Sequence, residues 1–278
     1  MKLYAISDLH LGSAVNRQAF ASLTDHRDDW LILAGDVGET LEHLELAVRL
    51  AVRRFAKVLW VPGNHELWTL SAARDAARGH EKYLQLVHLC RSYGVLTPED
   101  PFATWPGAPE PHAIALLFLL YDYSFRPADV TADGAVRWAM QAGVRCVDED
   151  LLHPDPHPSR AAWCRARCAA AEEPLRAAAA RGPVVLVNHF PLREDLARLP
   201  LLPRFSIWCG TTRTSDWHVR FNARVVVSGH LHLPATTWID GVRFEEVSFG
   251  YPGQRRSRRP IEHYLREILP GAPLPRAR

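Results

Sequence analysis

The stretch WVPGNHELW, residues 60–68, joins a strand-like run to a cluster of polar side chains. It closes an apolar, strand-like run and then places Asn64, His65 and Glu66 together directly after a glycine. A polar turn that caps the next helix would use the same residue types. In α/β sheets, however, functional groups commonly lie where strands end. The stretch therefore predicts either a helix cap or one corner of an active site, and the rest of the chain must decide.

Short apolar runs alternate with helical segments along the chain. The runs are rich in Val, Leu and Ile and are typical of buried strands; they cover residues 2–7, 29–35, 57–63, 113–120, 183–189 and 223–230. Apolar residues at helical spacing occur at 39–55 and near 71–92 and 159–180. Residues 236–249 predict a hairpin, because Asp240-Gly241 suits a type I′ turn. The alternation favours an α/β fold.

The middle of the chain departs from this alternation. Residues 97–111 and 151–159 are Pro-rich connectors. For a chain of 278 residues we expect one large domain, 1–270, in which residues 97–182 form an inserted cap over the site. Residues 271–278 are expected to be a disordered tail.

The composition is that of an ordinary globular enzyme, with 47% hydrophobic and 23% charged residues. A net charge of +2 argues against a nucleic-acid partner, and we interpret the basic run at 254–260 as solvated surface. The five cysteines have no paired spacing, so we expect reduced thiols. No apolar run reaches the roughly 18 residues of a membrane helix, and the first residues do not resemble a signal peptide. We expect a cytoplasmic protein with no membrane partner.

Polar side chains lie at the ends of five of the apolar runs or directly after them. In chain order they are Asp8 and His10, then Asp36, then Asn64 and His65, then His189, and finally His230 and His232. The spacing in Asp8-Leu9-His10 and in His230-Leu231-His232 would direct both polar residues of an extended segment to the same side. We therefore expect these side chains to converge.

The types of donor predict the kind of site. Carboxylate, amide and imidazole groups without a thiolate suit Mn, Fe or Zn. The eight side chains are too many for one tetrahedral zinc ion. They suit two ions that share a bridging carboxylate, as in two-metal phosphoester hydrolysis.

These blocks, DLH, GD, GNHE, NH and GHLH, occur complete and in order between residues 8 and 232. In this they resemble the calcineurin-like metallophosphoesterase superfamily. The resemblance implies a central two-layer β-sandwich flanked by helices, a four-layer αββα architecture. It also implies that Asp8, His10 and His232 hold one metal ion and Asn64, His189 and His230 the other. Asp36 would bridge the two ions, and His65 would be the catalytic histidine.

Glu66 is expected to cap the following helix or to orient neighbouring imidazoles. Residues 60–68 are thereby interpreted as part of an active site.

The implied activity is hydrolysis of a phosphoester bond with two Mn, Fe or Zn ions, manganese being the ion expected to serve in vitro. A compact cap favours a small phosphorylated metabolite or nucleotide as partner, and hence a phosphomonoesterase. A phosphodiesterase or nuclease of the same superfamily is the alternative. A non-catalytic scaffold is a further one, against which the complete set of ligands argues. The second block, GDVGETL, lacks the Asp-Arg pair that protein phosphatases carry there.

Substrate contacts are expected from the segment between the last two ligand-bearing strands. Arg204 and Arg213 could clamp a phosphate, and Trp208 could stack on a base. The competing interpretation is two surface arginines and a core tryptophan. The acidic run of residues 148–150 is interpreted as solvated.

Overall fold

The structure is a computed structural model that describes residues 1–71, 76–107, 110–255 and 259–271. The expected tail therefore lies, apart from residue 271, outside the described residues. The strands in chain order are β1 (Leu3–Ile6), β2 (His26–Leu33), β3 (Phe55–Trp60), β4 (Ala103–Trp105), β5 (His112–Leu116), β6 (Val184–Val187), β7 (Ala223–Ser228), β8 (Ala235–Ile239), β9 (Val242–Glu246) and β10 (Arg266–Leu269).

The helices surround these strands. They are α1 (Ala14–Ala21), α2 (Leu41–Arg54), α3 (Asn64–Leu67), α4 (Gly79–Ser92), α5 (Ala135–Met140), α6 (Asp148–Leu151), α7 (Arg160–Ala179) and α8 (Trp217–Arg220). Short 3₁₀ turns occur at Glu194–Leu196, Pro203–Trp208, Thr212–Thr214 and Ile261–Tyr264. Among the described residues, no helix combines the length and the hydropathy that crossing a bilayer requires.

Two sheets form the centre of the fold. One has the strand order β10-β1-β2-β3 and the other the order β4-β5-β6-β7-β9-β8. Neighbouring strands are parallel throughout β1-β2-β3 and β5-β6-β7-β9, and antiparallel pairs occur at the outer strands. Because parallel strands end at the same edge of a sheet, the residues directly after β1, β2, β3, β6 and β7 are collected on one side of the molecule.

The packing of the core explains why the sequences of the central strands are continuous apolar runs. Alternate residues of both sheets, such as Ile32 and Val185, pack together between the sheets. The intervening residues, such as Leu31 and Leu186, face the helices on the outside. Both faces of the central strands are thus buried, which removes the polar alternation of a half-exposed strand. The αββα architecture expected from the sequence is confirmed.

The two sheets are joined at the edge where the parallel strands end. The Ser7 N–H donates to the carbonyl of Val247 (3.0 Å), and the Phe249 N–H donates to the carbonyl of Ser7 (2.8 Å). Ser7 immediately follows β1 and Val247 immediately follows β9. Polar groups from the two sheets therefore meet at this edge.

The sequence located the elements well, with one correction. The apolar run 113–120 is a strand only to Leu116, because Leu117 and Leu119 continue as a buried loop; the Leu119 N–H donates to Oδ1 of Asn188 (2.9 Å). Strands β4 and β5 lie in the second sheet, so only residues 117–182 of the expected insert leave it. That these residues act as a cap stays a prediction.

The predicted hairpin is confirmed by the pairing of β8 with β9. Asp240 and Gly241 both have positive φ values, 53° and 76°, as a type I′ turn requires. A Cβ atom at Gly241 would meet no atom within 4 Å, so only the backbone conformation selects glycine here.

We expect Gly241→Ala to lower the free energy of unfolding by about 1 kcal/mol, because alanine is strained at positive φ. Denaturant unfolding measures this change. Gly253→Ala is the matched control, since Gly253 is equally open and its φ is outside the left-handed region. An equal effect at both positions would contradict the assignment of the turn.

Candidate metal centre

The predicted ligands come together at the strand ends. Three groups of carboxylate and imidazole side chains have ligand atoms within 4.8 Å of one another; they are Asp8, His10 and His232, then His10, Asp36 and His65, and then Asp36, His189 and His230. Asp36 belongs to two of these groups. The structure therefore brings all predicted carboxylate and imidazole ligands into one cluster.

The backbone that presents these groups differs from the extended form expected from the sequence. Of the eight non-glycine residues with positive φ in the described part of the chain, five are predicted ligands: Asp8, His10, Asp36, His230 and His232. The two spaced pairs thus converge through left-handed turns and not through strand alternation. Such conformations are unfavourable for non-glycine residues and concentrate at functional sites.

Asp8 is fully buried, and one of its carboxylate oxygens accepts hydrogen bonds from neighbouring protein groups. Its Oδ2 accepts from the hydroxyls of Ser7 (2.5 Å) and Ser248 (2.7 Å) and from the His230 N–H (3.1 Å). Its Oδ1 faces Nε2 of His232 at 3.0 Å. The hydrogen bonds therefore orient the carboxylate so that Oδ1 points into the cluster.

Nε2 of His232 also lies 3.0 Å from Nε2 of His10. Two imidazole nitrogens directed at each other and at a carboxylate oxygen form a convergent set of donors.

Each residue of the ligand set predicted for the second metal ion has a buried atom that makes no hydrogen bond to the described residues. These atoms are Nε2 of His189, Nε2 of His230 and Oδ1 of Asn64. Nδ1 of His189 lies 2.9 Å from the carbonyl of Ala34, which can only accept, so the proton of the neutral ring is on Nδ1 and Nε2 has a free lone pair. Buried polar atoms normally have partners. These atoms fit the ligand shell of a cation.

The electrostatics agree with a cation at this position. Burial lowers the pKa of His230 to about 3 and that of His10 to about 4, which keeps these rings in the neutral form that binds metals. Burial alone would also lower the pKa of His189, but the charges on Asp36 and Asp8 and the hydrogen bonds to Asp36 and to the Ala34 carbonyl together outweigh it and raise this pKa to about 10. The carboxylates thus stabilise positive charge beside Nε2, whether it is a proton or a metal ion.

His65 lies at the rim of the cluster and is partly exposed. Its Nε2 is 3.7 Å from Oδ2 of Asp36, and its Nδ1 is 3.4 Å from Oε1 of Glu39. Burial opposes a charge on the ring, but the carboxylates of Asp36 and Glu39 raise its pKa above the usual value. The ring of His65 therefore lies beside the cluster, where neighbouring carboxylates favour its charged form.

Glu66 ties the ends of β2 and β3 together. Its carboxylate is buried and accepts the backbone N–H groups of Asp36 (3.0 Å), Val37 (2.9 Å) and Gly63 (3.0 Å). The expected cap of α3 is confirmed, since Gly63 is its N-cap residue. The described contacts of Glu66 are with backbone amides, so it positions loops and does not orient imidazoles.

The structure shows the surroundings of the three residues predicted to contact substrate, Arg204, Trp208 and Arg213. Trp208 is fully buried and donates its indole N–H to Glu149 (2.7 Å), so it offers no face for a base, and that prediction is wrong. Arg204 lies over the ring of Trp138 and donates to its carbonyl.

Arg213 is half exposed and lies 3.5 Å from Asp122. A phosphate contact by Arg204 or Arg213 stays a prediction.

Several neighbours of the cluster were missed from the sequence. The ring of Tyr251 stacks on His10 with centroids 4.1 Å apart, and Oε1 of Gln254 lies 2.6 Å from Nδ1 of His232. Both residues lie beyond the last sequence block, where no motif indicates them. Asp148, interpreted as solvated, has no exposed surface and contacts Asn64.

Residues 1–234 match the family model described as calcineurin-like phosphoesterase. The chain therefore belongs to this family of metallophosphoesterases, which use a dimetal centre, and the resemblance inferred from the five blocks is confirmed. A phosphoric ester hydrolase is the class that fold and site define.

Two comparisons point to the same relative. The chain is 50% identical over 271 residues to the [acyl-carrier-protein] phosphodiesterase PptH of Mycobacterium tuberculosis (strain ATCC 25618 / H37Rv), covering 96% of this chain and 83% of that protein. It is also similar to the crystal structure of the phosphopantetheinyl hydrolase PptH from Mycobacterium tuberculosis. That similarity has a TM-score of 0.92 and 48% identity, and it covers 98% of each chain.

We expect Glu66→Gln to lower the free energy of unfolding by about 1–3 kcal/mol, because the new amide group would face a backbone N–H that has lost its acceptor. Thermal unfolding of the metal-free protein measures the effect. Glu42→Gln, at an exposed carboxylate in the first turn of α2, is the control and should change stability by no more than about 0.5 kcal/mol. Wild-type stability of Glu66→Gln would contradict the role assigned to the carboxylate.

Proposed function

We propose that the protein is a phosphodiesterase that releases phosphopantetheine from an acyl carrier protein. The observation that carries this proposal is the 50% identity to PptH over 96% of the chain, together with the match over nearly the whole of both structures. These comparisons favour the phosphodiesterase alternative over the small-molecule monoesterase that the sequence analysis preferred. The substrate is then a phosphodiester attached to a carrier protein and not a small molecule.

The metal ligands belong to the same proposal. Asp8, His10 and His232 would hold one ion, Asn64, His189 and His230 would hold the other, and Asp36 would serve both. The support is the convergence of these side chains, the unpaired buried nitrogens and the presence of Asp36 in two ligand groups. Two ions of Mn, Fe or Zn would supply positive charge for the phosphate and would lower the pKa of a bound water towards neutrality.

His65 completes the reaction as general acid. The attacking water first loses one proton to solvent; the new bond then forms between its oxygen and phosphorus, and the bond from phosphorus to the carrier's alcohol oxygen breaks. That oxygen leaves with negative charge and takes the proton of the His65 imidazolium. Glu39 holds the ring from the other side at 3.4 Å and favours its charged form.

The part of the insert that lies outside the second sheet contributes to the proposed site as well. Residues 117–182 belong to the single domain 1–270 and partly cover the cluster, a role supported by the contact of Asp148 with Asn64.

We expect His65→Ala to lower kcat on a phosphopantetheinyl carrier protein by about 10²–10⁴-fold, the usual contribution of a general acid. On bis(p-nitrophenyl) phosphate the loss should be much smaller, because p-nitrophenolate leaves without a proton. Steady-state kinetics of Mn-loaded enzyme on both substrates measures the difference. His88→Ala, at an exposed histidine of α4, is the control and should leave both rates unchanged.

An equal loss on the two substrates would contradict proton donation by His65. Rapid hydrolysis of p-nitrophenyl phosphate without turnover of the carrier protein would contradict the phosphodiesterase proposal and restore the monoesterase.

We expect EDTA-stripped protein to bind two Mn²⁺ ions, and each to raise the melting temperature, since ligands that bind only the folded state stabilise it. Asp36→Asn should weaken both binding events, whereas His189→Ala should weaken one. Titration calorimetry measures both affinities. A single binding event in the wild type, or an Asp36→Asn variant that loses one site only, would contradict the shared carboxylate.

A further inference from the structure

A buried carboxylate from outside the five sequence blocks reaches the metal centre. Asp148 is the first residue of α6, and it is separated from Asn64 by 84 residues in the chain. One oxygen, Oδ1, accepts two hydrogen bonds, from Nδ2 of Asn64 (2.9 Å) and from Nε1 of Trp68 (2.6 Å). The residue has no exposed surface. Burial of a carboxylate is unfavourable, so its placement here requires a compensating role.

The first of these hydrogen bonds fixes which way the amide of Asn64 points. An amide has a donor end and an acceptor end, and only the NH₂ group can donate to a carboxylate. The oxygen Oδ1 must then face the opposite way. It is buried there without a hydrogen bond, as are the nitrogens of His189 and His230 that share its proposed ligand set. Asp148 thus selects the amide orientation that a metal ion needs.

The second hydrogen bond acts on His65 through Trp68. The indole ring lies against the His65 ring, with centroids 3.7 Å apart. The carboxylate that holds the indole N–H therefore also sets the surface on which the proposed general acid rests. One oxygen atom thus controls a metal ligand and the neighbour of the proton donor.

Asp148 is itself held in place by an ion-pair network. Arg160 donates to the backbone carbonyls of Asp148 and Glu149, each at 2.7 Å, and pairs with the Glu149 carboxylate at 2.8 Å. Glu149 also accepts from Tyr123 (2.9 Å) and Trp208 (2.7 Å). These contacts join four separate segments of the chain. These contacts consequently hold the segment that carries the Asp148 carboxylate in a fixed position.

We propose that Asp148 is a positioning residue of the reaction: it orients Asn64 towards the metal ion and, through Trp68, steadies His65. The part that concerns His65 rests on the proposed function, whereas the part that concerns Asn64 depends only on metal binding. Asp148 itself contacts neither substrate nor metal in this role.

The test uses Asp148→Ala and Asp148→Asn in the full-length protein. Asp148→Ala frees the Asn64 amide to rotate, so one of the two Mn²⁺ affinities should fall by about 10–100-fold in titration calorimetry while the other is kept. Asp148→Asn keeps an oxygen acceptor and should recover most of the loss. Asp150→Asn, at an exposed carboxylate of the same helix, is the matched control and should bind Mn²⁺ as the wild type does.

A double-mutant cycle separates positioning from a general loss of structure. If Asp148 acts through Asn64, then the pair Asn64→Ala and Asp148→Ala binds Mn²⁺ as weakly as Asn64→Ala alone. Additive losses would overturn the proposal, and so would unchanged affinities in Asp148→Ala. Should Asp148→Ala fail to fold, as judged by circular dichroism, the same comparison is made with Asp148→Leu and Asp148→Asn, and equal Mn²⁺ binding by these two overturns it.

The second arm is tested with Trp68→Phe. This variant keeps an aromatic ring against His65 but lacks the indole N–H. It should bind two Mn²⁺ ions normally and show a lower kcat with KM unchanged within about twofold, the signature of a transition-state effect. Weakened Mn²⁺ binding in Trp68→Phe would contradict the separation of the two arms. Because the Mn²⁺ titrations need no substrate, a failure of the carrier-protein assay leaves the test of Asn64 intact.

Discussion

The junction of the two sheets at Ser7 is the constraint on which the site depends. Two backbone hydrogen bonds join the chain after β1 to the chain after β9. This contact places the first sheet's Asp8 against the second sheet's His230 and His232. Parallel pairing within each sheet supplies ligands in order, but only the junction brings the two sets together. The packing of the two sheets thus brings the predicted ligands at the edges of both sheets together in one candidate metal centre.

The cluster concentrates features that are unfavourable without a cation. Buried carboxylates lie beside one another, imidazole nitrogens lack partners, and five backbone positions have left-handed φ values. Such strain persists only where the surroundings over-determine it. The surroundings here are the hydrogen bonds of Glu66, Ser7 and Ser248, which fix backbone and carboxylates in place. These hydrogen bonds therefore hold the cluster in an arrangement that a bound cation would stabilise further.

The sequence predicted the parts of the site that result directly from parallel strands. Residues after such strands must meet at one edge, so Asp36, His189 and His230 could be identified from their positions at the ends of apolar runs. The backbone of the Asp8 and His230 pairs could not, because left-handed φ values leave no periodic signature. Trp208 was misjudged because burial against Glu149 depends on contacts between distant segments. The burial of Asp148 was missed for the same reason, because acidic residues in the first turn of a helix are stabilised there without any buried partner.

The spread of the ligands along the chain has a consequence for folding. His10 and His232 are 222 residues apart in sequence but 3.0 Å apart in space. Contacts of such high sequence separation form late, because the loop between them must first be closed. A chain interrupted before β7 can build strands of both sheets, yet it lacks His230 and His232 and so leaves both proposed ligand sets incomplete. On the proposed ligand sets, binding of both metal ions therefore requires a chain that extends past β7 and in which the two sheets have docked.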